Sequence, residues 1–158
     1  LRRSLEELLQ YADARAESIC LAFLDADNFK QVNDRFGHDT GDAFLLGMSR
    51  VISDAVRESD IAVRFGGDEF IIVLVGTGVD HAVHIAERIQ VAVRKLGRAY
   101  ADRQAGDPSA SSNPASGPTV SIGIAAHVRG ESGLQLIARA DEAMYAAKRD
   151  GRNRLAVA

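Results

Sequence analysis

Four carboxylates border strand-like segments of the sequence and could together bind a divalent cation. Asp25 and Asp27 come directly after the apolar run 18–24, and Asp68 and Glu69 stand at the tip of a glycine hairpin. Closely placed carboxylates repel one another unless a cation neutralises them. Oxygen ligands suit Mg²⁺ or Mn²⁺, and Mg²⁺ commonly serves phosphate chemistry with one or two carboxylates. A single Asp at a strand end is usually a solvated turn residue, but two acidic pairs beside paired glycines favour a metal site.

Groups that could bind a phosphate follow the first acidic pair. The backbone N–H groups of Asn28, Phe29 and Lys30 open a predicted helix and could form an anion-binding nest. Lys148 and Arg152 surround a glycine at the end of the last predicted helix. On spacing alone, these two cations are better explained as residues that complement the helix dipole at its C-terminus.

The composition is that of an ordinary globular domain. The chain has 158 residues, a net charge of −3 and 46% hydrophobic residues, so we expect one domain, residues 1–158, with a sizeable core. The acidic balance argues against a general nucleic-acid or anionic-membrane binder. Apolar runs such as Phe70–Val75 are too short to span a bilayer, and no signal peptide is visible. Because Cys20 is the single cysteine, no internal disulfide can form, and we expect a cytoplasmic protein.

Hydrophobic periodicity predicts a β-α-β-β-α-β order with an additional helix in front. Short apolar runs rich in strand formers predict strands, and apolar residues three and four apart predict helices. The predicted strands are 18–24, 61–65, 69–75, 119–125 and a tail strand 154–157, and the predicted helices are 1–15, 29–36, 40 or 42 to 59, 79–96 and 134–149. The continuous apolar run 18–24 is typical of a strand in the middle of a sheet that is covered on both faces. The order as a whole, however, is that of an α+β, ferredoxin-like split βαβ fold, in which helices cover one face of an antiparallel central sheet.

Two glycine-containing segments carry further structural expectations. Gly66 and Gly67 separate two strand-like runs and predict a tight hairpin turn with positive φ. Residues 97–118 hold all three prolines and are rich in Ser, Ala and Gly, which predicts a mobile loop. The chain is therefore predicted to be one domain interrupted by a long loop.

The signature pentapeptide and six further blocks of sequence in register resemble the GGDEF domain family, the bacterial diguanylate cyclases. The signature pentapeptide of that family stands within Arg64-Phe-Gly-Gly-Asp-Glu-Phe70. The other matching blocks are Asp25-Ala-Asp27-Asn-Phe-Lys30, Asn33-Asp34, Phe36-Gly-His-Asp-Thr-Gly-Asp42, Ser121-Ile-Gly-Ile124, Ala140-Asp141-Glu-Ala-Met-Tyr145-Ala-Ala-Lys148 and Gly151-Arg-Asn153. The resemblance covers nearly the whole chain and implies a nucleotide cyclase-like form of the predicted fold.

The resemblance implies an enzyme that condenses two GTP molecules into cyclic di-GMP and releases pyrophosphate. Each chain would hold one GTP, and two chains would face each other in an antiparallel homodimer. By the family pattern, Asp25 and Asp68 bind Mg²⁺ or Mn²⁺ with help from the Ala26 carbonyl, and the ions activate the 3′-OH and neutralise the attacked phosphate. Glu69 is implied either to contact a metal or to remove the proton from the 3′-OH.

The resemblance also implies which residues bind GTP. Asn33 and Asp42 resemble guanine readers, and the Asp42 carboxylate can accept hydrogen bonds from guanine N1–H and N2–H₂, which adenine cannot match. Leu45 would pack beside the base. The remaining implied substrate contacts are Phe29, at the anion-binding turn, and the phosphate ligands Lys30, Lys148 and Arg152. The family pattern thus replaces the helix-capping interpretation of the last two cations.

An inhibitory site and an alternative function complete these expectations. Arg57-Glu-Ser-Asp60 matches the family's Arg-x-x-Asp site for inhibition by cyclic di-GMP, and Arg88 resembles its secondary contributor. Leu1-Arg2-Arg3 could be a remnant of the family's N-terminal motif, and an attached sensory or receiver domain is an implied partner.

The alternative function is that of a non-catalytic module that binds GTP or cyclic di-GMP, which the intact acidic residues disfavour. A purely structural dimerisation module would leave the acidic pairs unexplained.

Overall fold

Within residues 2–105 and 117–158, which the computed structural model describes, five helices surround a five-stranded sheet. In chain order the elements are α1 (Arg2–Arg15), β1 (Ile19–Asp27), α2 (Phe29–Phe36), α3 (His38–Ala55), β2 (Ile61–Arg64), β3 (Glu69–Val75), α4 (Val79–Ala105), β4 (Thr119–Ala126), α5 (Gly133–Arg149) and β5 (Leu155–Val157). The predicted order of helices and strands is confirmed for this part of the chain.

Strand β1 lies at the centre of the sheet. The strand order is β2-β3-β1-β4-β5. β1 pairs antiparallel with β3 and with β4, β2 pairs antiparallel with β3, and β5 pairs parallel with β4. Because β3 lies between β1 and β2, this is the split βαβ arrangement. The structure confirms the α+β class, the antiparallel central sheet and the additional N-terminal helix.

Helices cover both faces of the sheet. On one face, alternate β1 residues such as Ala22 and Leu24 pack against α3 and α4. On the other face, Leu21 and Phe23 pack against α1 and α5. The prediction that helices lie on one face only is therefore wrong. Every residue of β1 is buried, and a strand that is apolar on both faces needs cover on both.

The first strand and the third helix have other bounds than the sequence predicts. β1 does not end before Asp25 but continues to Asp27, because β4 pairs with it as far as that residue. α3 begins at His38, directly after Gly37 with φ 84°, and ends at Ala55, whereas a start at residue 40 or 42 and an end at 59 were predicted. Both aspartates are therefore sheet residues whose side chains have fixed directions.

The hairpin between β2 and β3 does not use positive φ at its glycines. Among the described glycines, positive φ occurs at residues 37, 76, 130 and 151, so the predicted turn with positive φ is wrong. A Cβ at Gly66 would overlap the carboxylate of Glu69. The glycine at this position therefore provides space for an acidic side chain rather than conformational freedom.

The loop predicted for residues 97–118 begins later than expected. α4 continues to Ala105, so residues 97–105 are helical, and residues 106–116 lie outside the described residues. A Cβ on Gly97 would overlap the backbone of Pro118, so this glycine permits a close approach of the returning chain within the helix. No helix of the described residues is both long and apolar enough to cross a membrane.

Helix α1 is fastened to the connection between β4 and α5 at two points. Near its start, Glu6 accepts a hydrogen bond from the Gly133 backbone N–H at 2.8 Å. Near its end, the Asp13 carboxylate accepts one from the Gly130 N–H at 2.9 Å and lies 2.9 Å from His127 Nε2. The Gly130 N–H and the neighbouring His127 hold the pKa of Asp13 below its ordinary value. α1 and the first turn of α5 therefore form one packed unit.

Candidate active site

Two carboxylates of β1 face the side of the sheet that α5 covers. Residues two apart on a strand share a face, and Leu24 and Ala26 belong to the opposite, α3–α4 side. Asp25 is 8% exposed and Asp27 is 1% exposed. β1 therefore carries two acidic side chains into the protein beneath α5.

The β2–β3 hairpin brings the second acidic pair beside the first. Asp25 and Glu69 are paired residues of β1 and β3, and the Ala26 N–H donates to the Asp68 carbonyl oxygen at 3.1 Å. Arg64 Nε donates to a backbone carbonyl of the hairpin tip at 3.1 Å and closes the turn. Both acidic pairs therefore meet at one edge of the sheet.

A salt bridge joins Asp25 to the end of α5. Lys148 Nζ lies 2.7 Å from Asp25 Oδ1, and the two side chains are 25% and 11% exposed. Burial raises the pKa of Asp25 above its ordinary value; the Lys148 ammonium opposes this shift, and the charges of Asp68 and Asp27 add to it. A further cation beside this carboxylate would stabilise its ionised form.

Glu69 lies in the same electrostatic field. Burial raises the pKa of Glu69, and the charges of Asp25, Asp68 and Asp141 raise it further, while Lys148 lowers it. A carboxylate with a raised pKa is a stronger base than an ordinary glutamate, as general base catalysis requires. Asp141 of α5, which had no role assigned from the sequence, adds its charge to this acidic group.

The acidic residues could hold a divalent cation, although they do not form a closed cage. Among the residues of ranges 2–105 and 117–158, no three His, Cys, Asp or Glu side chains are grouped so that they could hold a metal ion. Mg²⁺ often takes one or two carboxylates from a protein, and phosphate oxygens and water complete its shell. One or two of the carboxylates of Asp25, Asp68 and Glu69 would therefore be enough for a cation whose other ligands are phosphate oxygens and water.

A glycine of β4 allows α5 to approach the sheet closely. A Cβ on Gly123 would overlap backbone atoms of Ala140 and Met144 in α5. Backbone atoms within a helix cannot turn aside as a flexible side chain can, so any larger residue would displace the helix. The close packing at Gly123 thus helps to hold the end of α5, with Lys148, over Asp25.

A second polar cluster lies where α2 meets α3. Asn33 Oδ1 is buried and has no hydrogen-bond partner among the described residues, and a Cβ on Gly41 would overlap the Asn33 amide and approach the Phe29 ring. An unpaired buried acceptor costs about 1–3 kcal/mol, so the Asn33 amide has unused hydrogen-bonding capacity where α2 meets α3. Asp42 follows Gly41 and is exposed, whereas Leu45 is 2% exposed and lies in the core. Packing of Leu45 beside a base stays a prediction.

The other predicted phosphate ligands lie at two turns. Lys30 is exposed in the first turn of α2, and the preceding Asn28 makes no side-chain capping hydrogen bond. The N–H groups of a first helical turn have no acceptor within their helix, so they are available to an anion. Arg152 is exposed beyond the end of α5 and has φ 61°. Of the three predicted cations, the structure places Lys148 in direct contact with a carboxylate of the site.

Asp27 has partners that sequence reasoning missed. Its carboxylate accepts hydrogen bonds from the hydroxyls of Thr119 and Ser121, both at 2.7 Å, and from the Asn153 backbone N–H at 3.0 Å. Gln90 of α4 donates to the carbonyl of the same Asn153. Thr119 and Ser121 stand two apart in an otherwise apolar strand, and this polar alternation is a signal that could have indicated a buried acceptor opposite them.

The predicted inhibitory residues lie in the segment between α3 and β2 and on α4. Arg57 is exposed, and its backbone N–H donates to the Asp60 carboxylate at 2.9 Å. The other Asp60 oxygen accepts from the Val75 N–H of β3 at 3.0 Å. Arg88 is exposed and lines a surface groove of about 470 Å³ along α4. Asp60 therefore fixes the local backbone, and the binding role of the three residues stays a prediction.

Comparisons with known sequences agree with the geometry. Residues 1–154 match the family model described as diguanylate cyclase, GGDEF domain. The chain is 39% identical over 145 residues to diguanylate cyclase DgcM of Escherichia coli K12, a match that covers 92% of this chain and 32% of that protein. It is 33% identical over 142 residues to diguanylate cyclase A of Treponema denticola, with 89% and 35% covered. The chain spans about a third of the length of these relatives.

Solved structures show the same likeness. The GGDEF domain of DgcB from Caulobacter crescentus, in complex with c-di-GMP, matches with a TM-score of 0.84 at 33% identity over 98% of this chain and 86% of that one. The active GGEEF domain of a diguanylate cyclase from Vibrio cholerae matches with a TM-score of 0.76 at 31% identity over 99% and 95% of the two chains. With the acidic residues of the signature pentapeptide at the sheet edge and the family model matched over residues 1–154, this chain belongs to the GGDEF domain family of diguanylate cyclases.

Proposed function

We propose that this domain catalyses the condensation of two GTP molecules into cyclic di-GMP. In each of two equivalent steps, the 3′-OH of one GTP attacks the α-phosphorus of the other, a phosphodiester bond forms and one pyrophosphate leaves. Relatives named diguanylate cyclase support this proposal. The observation that carries it is the meeting of Asp25, Asp68 and Glu69 at one sheet edge beside Lys148.

The acidic residues fit a divalent cation such as Mg²⁺ or Mn²⁺. Burial and mutual negative charge raise the pKa values of Asp25 and Glu69, and a cation would relieve that repulsion. We assign Asp25, Asp68 and the Ala26 carbonyl as ligands, and Glu69 as a further ligand or as the acceptor of the 3′-OH proton. When bound, divalent ions would neutralise charge on the attacked phosphate and acidify the 3′-OH.

Three cationic residues are proposed to bind the triphosphate. Lys30 and Arg152 are exposed, and a guanidinium can bind two phosphate oxygens at once. Lys148 Nζ contacts Asp25 at 2.7 Å, so a metal ion held by that carboxylate would compete with this ammonium. We therefore expect Lys148 to turn from Asp25 towards a phosphate when the cation and GTP bind.

Asn33 and Asp42 are proposed to select guanine. The buried Asn33 Oδ1 has no partner among the described residues, and a guanine N–H would supply the donor it needs. The Asp42 carboxylate is exposed near the same corner and can accept from N1–H and N2–H₂. Adenine has neither of these donors, so ATP would leave buried or charged acceptors unpaired, which weakens binding.

The reaction requires two copies of the chain. One acidic site would hold one GTP, and a second chain would bring the other nucleotide face to face with it. We therefore propose a catalytic homodimer that acts in the cytoplasm, where GTP is available.

We also propose that cyclic di-GMP inhibits the enzyme at Arg57, Asp60 and Arg88. The exposed Arg57 guanidinium offers the planar donor pattern that guanine and phosphate accept.

The proposed function is tested by incubating concentrated protein with GTP and Mg²⁺ and identifying the products by mass spectrometry. We expect cyclic di-GMP and pyrophosphate from the wild type. Asp68→Ala should lose turnover without a change in its thermal unfolding, and Asp54→Ala, which removes an exposed acid of α3, should retain it. If folded, dimeric wild-type protein forms no cyclic di-GMP from GTP, the proposed cyclase activity is refuted. Bound cyclic di-GMP without turnover would favour a non-catalytic nucleotide-binding module.

A further inference from the structure

Asp27 is a buried carboxylate that the proposed chemistry does not use. It is 1% exposed. Oδ1 accepts a hydrogen bond from the Ser121 hydroxyl, and Oδ2 accepts from the Thr119 hydroxyl and from the Asn153 backbone N–H. Burying such a group is unfavourable unless donors of this kind compensate it. With its oxygens engaged in this way, Asp27 joins β1, β4 and the turn after α5.

The turn that Asp27 holds has an unfavourable backbone conformation. Arg152 has φ 61° and Asn153 has φ 47°, and non-glycine residues with such left-handed angles persist where the surroundings hold them. Three contacts do so here. The Arg152 N–H donates to the Ala147 carbonyl, the Asn153 N–H donates to Asp27, and Gln90 donates to the Asn153 carbonyl. The direction in which the Arg152 side chain leaves the backbone therefore depends on how its neighbour is anchored.

We propose that Asp27 is a positioning residue that directs Arg152 towards the phosphates of GTP. It does so by fixing Asn153, the next residue in the chain, to the sheet edge that also carries Asp25. The inference rests on the proposed function, because it assumes that Arg152 binds phosphate. It assigns the second aspartate of the Asp-x-Asp pair a different task from the first, and this task requires a hydrogen-bond acceptor rather than a negative charge.

The first test compares two substitutions of Asp27 by initial-rate kinetics with GTP and Mg²⁺. Asp27→Ala removes the acceptor, and we expect the KM for GTP to rise about tenfold with little change in kcat, as for loss of one hydrogen bond to a charged group. Asp27→Asn retains an oxygen for the Asn153 N–H and can donate its NH₂ to the Ser121 hydroxyl, so it should stay near the wild-type KM. If Asp27→Asn is as impaired as Asp27→Ala, the charge itself is required and the proposal is overturned.

A double-mutant cycle with Arg152→Ala shows whether the effect passes through Arg152. We expect Asp27→Ala to raise the KM by about as much as Arg152→Ala, and the double variant to be no worse than either, whereas independent roles would multiply to about a hundredfold. If the increases in KM of the two single variants multiply in the double variant, the positioning role of Asp27 is wrong and the proposed function is unaffected. A normal KM in Arg152→Ala would instead show that the phosphate role of Arg152 is wrong, and the inference would fall with it.

Gln90→Ala keeps the proposal testable if Asp27→Ala does not fold. Gln90 is half-buried and contacts the same Asn153 from α4, so its removal should loosen the turn and raise the KM without an additional effect in the Arg152→Ala background. Hydrogen exchange of the amides in residues 151–154 should be faster in this variant and unchanged in the β1–β4 pairing. Unchanged exchange in the turn, or a KM effect that multiplies with Arg152→Ala, would overturn the proposal.

Discussion

Replacing Lys148 by methionine would leave a nearly buried carboxylate without its cation while preserving most of the side-chain length. Lys148 Nζ lies 2.7 Å from Asp25 Oδ1, and the Asp25 side chain is 11% exposed. At an effective dielectric constant of about 20, two unit charges at this distance attract by about 6 kcal/mol. Desolvation of both groups offsets most of that attraction, so the net effect is much smaller.

The expected loss follows from the exposure of the two partners. Removing one member of a buried ion pair costs about 3–5 kcal/mol. Lys148 is 25% exposed, so water can partly replace it, and we expect Lys148→Met to lower the free energy of unfolding by about 1–3 kcal/mol at neutral pH. The matched control is Lys95→Met, which removes an exposed lysine of α4 and should change stability by less than about 0.5 kcal/mol.

The loss should depend on pH in a direction that the carboxylate determines. Burial already raises the pKa of Asp25 in the folded protein, and removing the Lys148 ammonium raises it further. A carboxyl group whose folded pKa lies above its unfolded value stabilises the fold at low pH, and this contribution is lost as the pH rises. The difference between Lys148→Met and wild type should therefore be largest at pH 8 and should shrink as the pH falls towards the ordinary Asp value.

Urea unfolding at pH 5, 7 and 8 measures this difference. A second variant sharpens the test: adding Asp25→Asn to Lys148→Met removes the unpaired charge and should recover stability at pH 8. An equal loss at every pH, or no recovery in the double variant, would show that Lys148 contributes through packing and that the electrostatic reasoning is wrong.

Four further outcomes are expected. Gly123→Ala should lower the free energy of unfolding by about 1–3 kcal/mol in urea titrations, because its Cβ would overlap the backbone of α5. Gly78→Ala, where the structure has open space, is the control. Equal losses of stability in the two variants would contradict the close packing of α5 on Gly123. The Gly130 N–H and His127 lower the pKa of Asp13 from 3.8 in the folded protein. Asp13→Asn should therefore lower the free energy of unfolding at pH 7, and this loss should disappear as the pH falls below the folded pKa of Asp13. A loss that stays constant from pH 7 to pH 3 would argue against the contact of Asp13 with Gly130 and His127. Asp42→Ala should bring the kcat/KM values for GTP and ATP closer together, and an unchanged ratio would remove Asp42 as the base reader. Arg57→Ala should weaken inhibition by added cyclic di-GMP, and unchanged inhibition would place the regulatory site elsewhere.

The sequence predicts those features of the fold that depend on neighbouring residues. Strands such as Glu69–Val75 are marked by short apolar runs, and the acidic pairs are recognisable because they border such runs. The cover of both sheet faces was indicated by the continuous apolar run 18–24, which is buried on both sides in the structure, but the general form of the predicted fold favoured helices on one face only. The helical span to Ala105 was missed because the Pro-, Ser- and Gly-rich composition of residues 97–118 predicts a loop, whereas Gly97 lies within the helix and provides space for Pro118.

The site was predictable in its residue types and less so in its contacts. The three donors to Asp27 come from residues 92, 94 and 126 positions away in the chain, and no local pattern specifies which distant groups meet. The same holds for Lys148, which spacing alone described as a helix-capping cation and the structure places on Asp25. The resemblance to the family predicted which residues form the site, whereas the fold determines how these residues contact one another.

The attachment of α1 to the first turn of α5 has a mechanical consequence. Glu6 and Asp13 tie α1 to Gly133 and Gly130, while the opposite end of α5 carries Lys148. The 17 residues of α5 form a rod about 25 Å long. A tilt of about 5° at its first turn would move its far end by about 2 Å, nearly the length of the Lys148–Asp25 contact. Among the residues of α5, those near Lys148 would therefore move most if α1 tilted the first turn of this helix, whereas the first turn itself would barely shift.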